Sequence, residues 1–316
     1  MRHLTLISGA DDTHTLDALF INAPLRDYGL RPRTNDYTLP VLGMAYIATY
    51  AQRCGFNVGV LDAEAHGLGI EATAKIVNTA APRWAAMNLL APTYEMSARI
   101  AAKLDPGIAL MVGGHHAKAM PDRILADSRM HNLRALVLGE GELRVAALLE
   151  DEQRRRGLPA VLWRDPISGT RAGGIADPAT SAQMLGPNIN TLPYVNRAFL
   201  PQDPYQAAPT VTDRRLAASR GADWLTAAAL HGHREANIVG SRGCPYNCTF
   251  CGAAWSANPD VKIRVRSPEN ILGELDQLHD EYGVRTRNLT TAGFGPIPRC
   301  CHAVGLLWRF RMKSWR

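Results

Sequence analysis

The chain contains the stretch Ile108-Ala-Leu-Met-Val-Gly-Gly-His-His-Ala117, in which an unbroken apolar run leads into paired glycines and paired histidines. A short apolar run that ends in glycine predicts a buried strand followed by a tight turn. Similar runs predict strands at 16–23, 57–62, 84–90 and 135–138. Amphipathic stretches predict helices at 41–53, 70–80, 93–104, 121–126 and 142–151. This alternation predicts the α/β class, with a Rossmann-like, doubly wound parallel sheet.

The carboxyl edge of this predicted sheet is the expected ligand site, because open α/β sheets bind ligands where their parallel strands end. The loops that follow the strands therefore lie around one site. These loops are 24–40, 89–93, 113–116 and 139–141.

The composition predicts a soluble, cytoplasmic protein without a membrane partner. The chain has 316 residues, of which 46% are hydrophobic and 20% are charged, and this length suffices for two domains. No apolar run approaches the roughly 20 residues of a membrane span, and no signal peptide is recognisable. The net charge is +6, but the excess lies in residues 282–316, which contain no acidic residue. We therefore expect no nucleic-acid partner.

A second stretch, Ser241-Arg-Gly-Cys-Pro-Tyr-Asn-Cys-Thr-Phe-Cys-Gly252, has three cysteines in CxxxCxxC spacing. Three thiolates can hold three irons of a cubane cluster and leave the fourth iron open to a substrate, whereas ferredoxin clusters usually take four cysteines. A structural zinc site is the alternative. It normally needs four ligands in two pairs, and no second pair lies nearby.

The region around the cysteines predicts a strand, a ligand-bearing loop and a helix. Residues 158–177 predict a β-hairpin, and the proline-rich stretch 186–210 predicts a linker. A short strand at 235–240 presents the cysteine loop. Ser267 and Pro268 then open a helix that runs to Tyr282, with serine at the N-cap and proline at the first position. This order predicts the first unit of a β/α barrel.

Together, the two halves resemble cobalamin-dependent radical S-adenosylmethionine (SAM) proteins. The cysteine stretch resembles the radical SAM signature, and the N-terminal half resembles the cobalamin-binding domain that precedes the barrel in this family. The resemblance covers residues 15–285. The N-terminal half contributes Leu39-Pro-Val-Leu-Gly-Met-Ala-Tyr-Ile-Ala48, residues 51–62, Ala91-Pro-Thr-Tyr94, Val112-Gly-Gly-His-His-Ala117 and Val137-Leu-Gly-Glu-Gly-Glu142.

This resemblance implies four segments. Residues 1–150 form the cobalamin-binding domain, and 151–234 form a hairpin and linker. Residues 235–284 begin a radical SAM barrel of partial TIM type, and 285–316 form an atypical basic tail.

The resemblance also implies three cofactors: a 4Fe–4S cluster, SAM and cobalamin. Cys244, Cys248 and Cys251 are the implied cluster ligands, and SAM would chelate the open iron. Tyr246, Phe250 and Gly252 would surround the cluster and SAM. The residues implied at cobalamin are Leu42, Gly43, Pro92, Thr93, Gly113, Gly114, His115, His116, Gly139, Glu140 and Gly141.

Some of these residues have a second interpretation. The paired glycines suit the approach of a corrinoid, but they equally suit tight strand-to-helix turns. His115 and His116 would pack against the corrin or remain solvated in their loop. Before Pro40 no histidine follows the first strand, and His66 follows the second strand instead. Cobalamin is therefore expected in a His-off form.

In the family, the reduced cluster cleaves SAM to a 5′-deoxyadenosyl radical that removes a hydrogen atom from the substrate. The resemblance implies methyl transfer to an unactivated carbon of a small-molecule substrate in a biosynthetic pathway. An electron donor such as a flavodoxin or ferredoxin is the implied partner. Cyclisation or rearrangement is an alternative reaction. A corrinoid-binding module, a non-functional fragment or a zinc-stabilised binding protein are alternative functions.

The C-terminal tail departs from the family pattern. Residues 285–316 contain Cys300 and Cys301 side by side, no acidic residue and no helical or strand periodicity. A full eight-unit barrel needs about 250 residues, and only a short segment follows Cys251. The sequence therefore suggests a truncated or frameshifted reading frame.

Overall fold

The computed structural model describes residues 4–33, 40–174, 184–201, 235–244, 246–249, 263–283 and 286–291. The chain divides into two compact units. The first contains Met1–Pro187 with Pro193–Tyr205, and the second contains Asn188–Leu192 with Gln206–Arg316.

A seven-stranded sheet forms the centre of the first unit, in the order β2-β1-β3-β4-β5-β6-β7. The first five strands pair in parallel, and the last two are antiparallel. The strands are β1 (Ala18–Asn22), β2 (Val58–Asp62), β3 (Trp84–Asn88), β4 (Ala109–Gly113), β5 (Leu133–Val137), β6 (Val161–Arg164) and β7 (Arg171–Gly173).

Six α-helices of this unit are described over their whole length. They are α1 (Leu42–Arg53), α2 (Ile70–Ala80), α3 (Tyr94–Ala101), α4 (His115–Ala119), α5 (Pro121–Ala126) and α6 (Glu142–Glu150). Strand β2 is buried along its whole length, because parallel sheets are covered by helices on both faces. The predicted α/β class and parallel sheet are confirmed.

The hairpin formed by β6 and β7 extends this sheet. Leu136 of β5 pairs with Leu162 of β6, and Trp163 pairs with Ala172 of β7. The sequence predicts the hairpin but does not predict that it continues the parallel sheet. A domain boundary at residue 150 stays a prediction, and the hairpin beyond it completes the sheet of the first unit.

The second unit contains a βαβ arrangement. Strands β8 (Glu235–Arg242) and β10 (Thr286–Thr291) pair in parallel, and helix α7 (Pro268–Tyr282) connects them. The short strand β9 (Arg264–Val265) pairs antiparallel with β8. Apolar residues of β8 and α7 form the core between them: Ala236, Ile238, Ile271, Leu272, Leu275 and Leu278.

Helix α7 begins and ends as the sequence predicts. The Ser267 side chain accepts a hydrogen bond from the backbone N–H of Asn270, and Pro268 occupies the first turn. Gly283 closes the helix with a φ of 62°, in the left-handed region that glycine adopts without strain.

Strand β10 begins the tail, in which the sequence shows no helical or strand periodicity. Residues 286–291 read Thr-Arg-Asn-Leu-Thr-Thr, and β-branched threonines favour extended structure. The strand lacks an apolar alternation of its own, so pairing with β8 determines it. Residues 292–316, including Cys300 and Cys301, lie outside the described residues.

Membrane crossing has no support among the described helices, since none is long and apolar enough to span a bilayer.

Candidate functional site

The candidate site is the carboxyl edge of the parallel strands in the first unit. The parallel part has the strand order 2-1-3-4-5, in which ligands bind at the switch point between β1 and β3. The described loops at this edge are 23–33, 63–69, 89–93 and 138–141, together with Gly114.

The loop after β1 is fixed to the loop after β2 by two carboxylates. Glu64 accepts hydrogen bonds from the backbone N–H of Leu25 and from the Tyr28 hydroxyl, both at 2.8 Å. Asp27 accepts from the backbone N–H of Ile70 at 3.1 Å, and this contact caps the start of α2. Burial, followed by the hydrogen bond to Glu64, raises the pKa of Tyr28 to about 12.

The same two loops touch through their backbones. A Cβ on Gly69 would lie 2.4 Å from the Gly29 nitrogen, so no side chain fits there. The Arg33 guanidinium donates to the Ala65 carbonyl at 2.6 Å. Glu64 and Asp27 are not among the site residues predicted from the sequence. A carboxylate in one loop gives no sequence signal for its hydrogen-bond partner in another loop.

His66 lies half-buried in the loop after β2, and its backbone N–H donates to the Asp62 carbonyl at 3.1 Å. The described part of the loop after β1 contains no histidine. The His-off state of cobalamin therefore stays a prediction.

The predicted Gly113–Gly114 pair forms the turn from β4 into α4. Gly114 has a φ of 94°, and a Cβ there would lie 2.7 Å from the Leu89 carbonyl oxygen. The His116 backbone N–H donates to that same oxygen at 3.0 Å. Close packing against the residue that follows β3 thus accounts for glycine at position 114. This agrees with the second interpretation of the glycine pair, which is a tight strand-to-helix turn.

The two histidines after this turn have different surroundings. His115 is exposed, whereas His116 is half-buried with its ring centroid 4.7 Å from that of Tyr94. Tyr94 donates from its hydroxyl to Asp127 at 2.6 Å, and burial, then this hydrogen bond, raises its pKa to about 12. Arg129 holds the pKa of Asp127 below its usual range. His115 is thus the histidine that faces solvent.

The loop Gly139-Glu140-Gly141 joins β5 to α6 at the same edge. Gly139 is exposed with a φ of 91°, and a Cβ on Gly141 would lie 2.8 Å from the Ile47 side chain of α1. Gly141 therefore permits the approach of α1. Arg144 of α6 donates to the Leu138 carbonyl at 2.7 Å and to the Glu140 carbonyl.

The start of α1 contributes the most open glycine of the predicted set. Gly43 is exposed, and a Cβ built on it meets no atom within 4 Å among the described residues. Leu42 beside it is half-buried. An open backbone at a helix start leaves room for a bulky ligand.

Pro92 and Thr93 lie in the short helical turn Ala91–Thr93 after β3. Pro92 is exposed, but Thr93 is buried, and its hydroxyl donates to the Leu90 carbonyl at 3.4 Å. The residues that the sequence predicts at cobalamin thus lie at the C-terminal ends of the parallel strands, but the sequence does not separate those that shape turns from those that reach solvent.

The cysteine loop follows β8 in the second unit. Cys244 is half-buried and Cys248 is exposed, and both are free thiols. Tyr246 is 43% exposed. Cys251, Phe250 and Gly252 lie outside the described residues. Among the described ones, no group of three His, Cys, Asp or Glu side chains could hold a metal ion.

Ser241 at the end of β8 adds one observation about this loop. It is buried, and its hydroxyl has no hydrogen-bond partner among the described residues. A buried hydroxyl without a partner costs about 1–3 kcal/mol. Ser241 precedes Cys244 by three residues, and a hydroxyl donor at this position suits a bound group that accepts hydrogen bonds, as the sulfurs of a cluster do.

Residues 33–149 match the model of the B12 binding domain family. The matched range includes β2 to β5 and the loops that follow these four strands at 63–69, 89–93 and 138–141, together with Gly114, but begins only at the end of the loop after β1. The chain therefore contains a B12-binding domain.

Curated relatives extend the similarity beyond that domain. The chain is 26% identical to an uncharacterized methyltransferase of Pyrococcus horikoshii, covering 78% of this chain and 48% of the relative. It is 24% identical to cytidylyl-2-hydroxyethylphosphonate methyltransferase of Streptomyces wedmorensis, covering 77% and 49%. It is 22% identical to the anaerobic magnesium-protoporphyrin IX monomethyl ester cyclase of Rubrivivax gelatinosus, covering 78% and 40%. The chain spans about half the length of the curated methyltransferases that it matches.

Among solved structures, the fold is similar to the radical SAM methyltransferase TsrM from Kitasatospora setae, with a TM-score of 0.61 at 16% identity. The match covers 94% of this chain and 53% of TsrM, whose structure has cobalamin and a 4Fe–4S cluster bound. A second TsrM structure with tryptophan and a SAM analogue has the same TM-score. The predicted resemblance to cobalamin-binding radical SAM proteins is confirmed.

Proposed function

We propose that the chain acts as a cobalamin-dependent radical SAM enzyme, which starts radical chemistry by reductive cleavage of SAM at a 4Fe–4S cluster. The observation that supports this most is the order of two sites in one chain. A B12 binding domain match at 33–149 precedes a CxxxCxxC loop at the end of a parallel strand.

The corrinoid would bind at the carboxyl edge of the first unit. Gly43, Pro92, His115 and Gly139 are exposed there, so their backbones are accessible to a large ring. The loop after β1 would line one side of this site in a conformation that is already ordered, because Glu64 and Asp27 fix it. We propose His-off binding, in which the protein supplies shape and hydrogen bonds rather than a cobalt ligand.

In the second unit, Cys244, Cys248 and Cys251 would hold the cluster, and Tyr246, Phe250 and Gly252 would lie around it. When bound, the cluster and SAM supply the radical and the corrinoid supplies a methyl group. The thiols must be deprotonated to act as ligands, so cluster assembly releases protons from the cysteines. The Ser241 hydroxyl provides a buried donor next to this loop.

Methyl transfer to an unactivated carbon of a small molecule is the reaction that we favour. Two of the curated relatives and TsrM are methyltransferases, and TsrM has been solved with tryptophan. The cyclase relative keeps cyclisation as the competing reaction. An electron donor such as a flavodoxin or ferredoxin would reduce the cluster.

Anaerobic reconstitution with iron, sulfide and hydroxocobalamin tests this function. We expect about four irons per chain, as a cubane cluster requires, one corrinoid per chain, and 5′-deoxyadenosine after addition of SAM and dithionite. Cys248→Ala should abolish 5′-deoxyadenosine formation and leave the corrinoid bound. Stoichiometric zinc without iron would contradict the proposal.

A variant of Gly43 tests separately where the corrinoid binds. Gly43→Leu adds a side chain where the described structure is open. Because leucine also favours helix more than glycine, the thermal midpoint should not fall, while corrinoid affinity should fall at least tenfold. Corrinoid binding without SAM cleavage would instead support the alternative, a corrinoid-binding module. Unchanged affinity in Gly43→Leu would contradict the placement of the ligand.

A further inference from the structure

Arg144 is a fully buried cation that binds backbone carbonyls. It is 0% exposed, and its guanidinium donates to four carbonyl oxygens. Two belong to the loop after β5, at Leu138 and Glu140. The other two belong to the segment before β6, at Pro159 (3.2 Å) and Ala160 (3.3 Å). Among the described residues, no carboxylate forms an ion pair with Arg144.

The two segments that Arg144 joins both contain left-handed backbone. Gly139 has a φ of 91° and Ala160 a φ of 52°. An alanine adopts this region only under strain, so surrounding contacts must hold it. The Leu138 N–H donates to the Ala160 carbonyl at 2.9 Å, and Arg144 donates to that same oxygen. The guanidinium thus binds both turns beside the backbone hydrogen bond that joins them.

We propose that Arg144 is a positioning residue for the corrinoid, which holds the Gly139–Gly141 loop in its receiving conformation and couples it to the β6–β7 hairpin. This inference rests on the proposed function of the carboxyl edge. It assigns the hairpin a role in ligand binding, although the family match ends at residue 149.

The chemistry of the side chain supports this role. Burial lowers the pKa of Arg144 to about 10, so the group remains charged at neutral pH. A planar guanidinium offers five N–H donors in a fixed fork, whereas a lysine ammonium is a single flexible point. Lysine therefore cannot serve both turns with the same geometry.

Corrinoid titration of three variants of the full chain tests the inference. Arg144→Met removes the fork, and Arg144→Lys retains the charge. Leu149→Ala is the control, because Leu149 is equally buried in α6 but lies more than one turn further along the helix. Affinity for hydroxocobalamin is measured from its absorbance change at a temperature where circular dichroism shows every variant folded.

We expect Arg144→Met to weaken hydroxocobalamin binding at least tenfold, Arg144→Lys to weaken it less, and Leu149→Ala to leave it unchanged. Wild-type affinity in Arg144→Met, or an equal loss in Leu149→Ala, would overturn the inference. If Arg144→Met does not fold, hydrogen exchange at the amides of 139–141 in Arg144→Lys decides instead. Unchanged exchange there would overturn the positioning role. Failure of the wild-type chain to bind any corrinoid would refute the proposed function itself.

Discussion

Gly114 and Gly43 form a pair of predicted site glycines whose replacement by alanine should have opposite effects. Gly114 has a φ of 94°, and its added Cβ would lie 2.1 Å from Asn88 Oδ1 and 2.7 Å from the Leu89 carbonyl oxygen. The Asn88 side chain can rotate away, but the Leu89 backbone is fixed by hydrogen bonds to the backbones of Gly113 and His116. Gly43 lies in the first turn of α1, and its added Cβ meets nothing within 4 Å among the described residues.

These contacts set the expected size of each effect. A left-handed backbone costs alanine about 1–2 kcal/mol, and overpacking against fixed atoms costs about 1–3 kcal/mol. Gly114→Ala should therefore lower the free energy of unfolding by about 2–5 kcal/mol. Gly43→Ala should raise it by up to about 1 kcal/mol, because alanine favours helix.

Urea unfolding of the cofactor-free chain, followed by far-ultraviolet circular dichroism, measures both changes. A Gly114→Ala variant with the wild-type midpoint and slope would refute the steric reasoning. Strong destabilisation of the Gly43→Ala variant would also refute it, because this would mean that the added Cβ contacts a neighbouring atom.

Three further substitutions test other contacts by denaturant unfolding. Ala81→Gly should stabilise the chain by about 1 kcal/mol, because Ala81 closes α2 with a φ of 44°; a loss of stability would contradict this. Asp127→Asn should cost about 1.5–3 kcal/mol by weakening the hydrogen bonds to Arg129. The pKa of Asp127 is lowered from 3.8 in the folded state. The stabilisation by its carboxylate is therefore present above pH 4 and should disappear as the pH falls below it. A difference in unfolding free energy between wild type and Asp127→Asn that does not change with pH would contradict this. Glu274→Gln should cost about 3–5 kcal/mol, because it removes the negative charge from the buried ion pair with Arg266. A small effect would indicate that this ion pair does not stabilise the fold.

The sequence predicts the strands and the positions of their C-terminal ends well, because both depend on local patterns. Apolar runs such as residues 108–113 end close to where β4 ends, and glycine pairs mark the turns. The spacing of Cys244 and Cys248 likewise needs no tertiary information. These features are encoded within a few consecutive residues.

Contacts between distant segments escape such patterns. Glu64 reaches back to Leu25 and Tyr28, and Arg144 reaches forward to Ala160. Strand β10 forms by pairing with β8 rather than through an alternation of its own. Each of these contacts depends on a residue that is distant in the sequence. The sequence could therefore predict that the site lies at the C-terminal ends of the parallel strands, but not which groups fix the loops there.

The two carboxylates that fix the loop after β1 have a thermodynamic consequence. Because Glu64 and Asp27 already bind the backbone at Leu25 and Ile70, residues 25–33 do not have to lose conformational freedom when a ligand arrives. Ordering a flexible loop on binding consumes interaction free energy. A loop that is already ordered avoids that cost, so the contacts between this loop and a ligand contribute more fully to affinity.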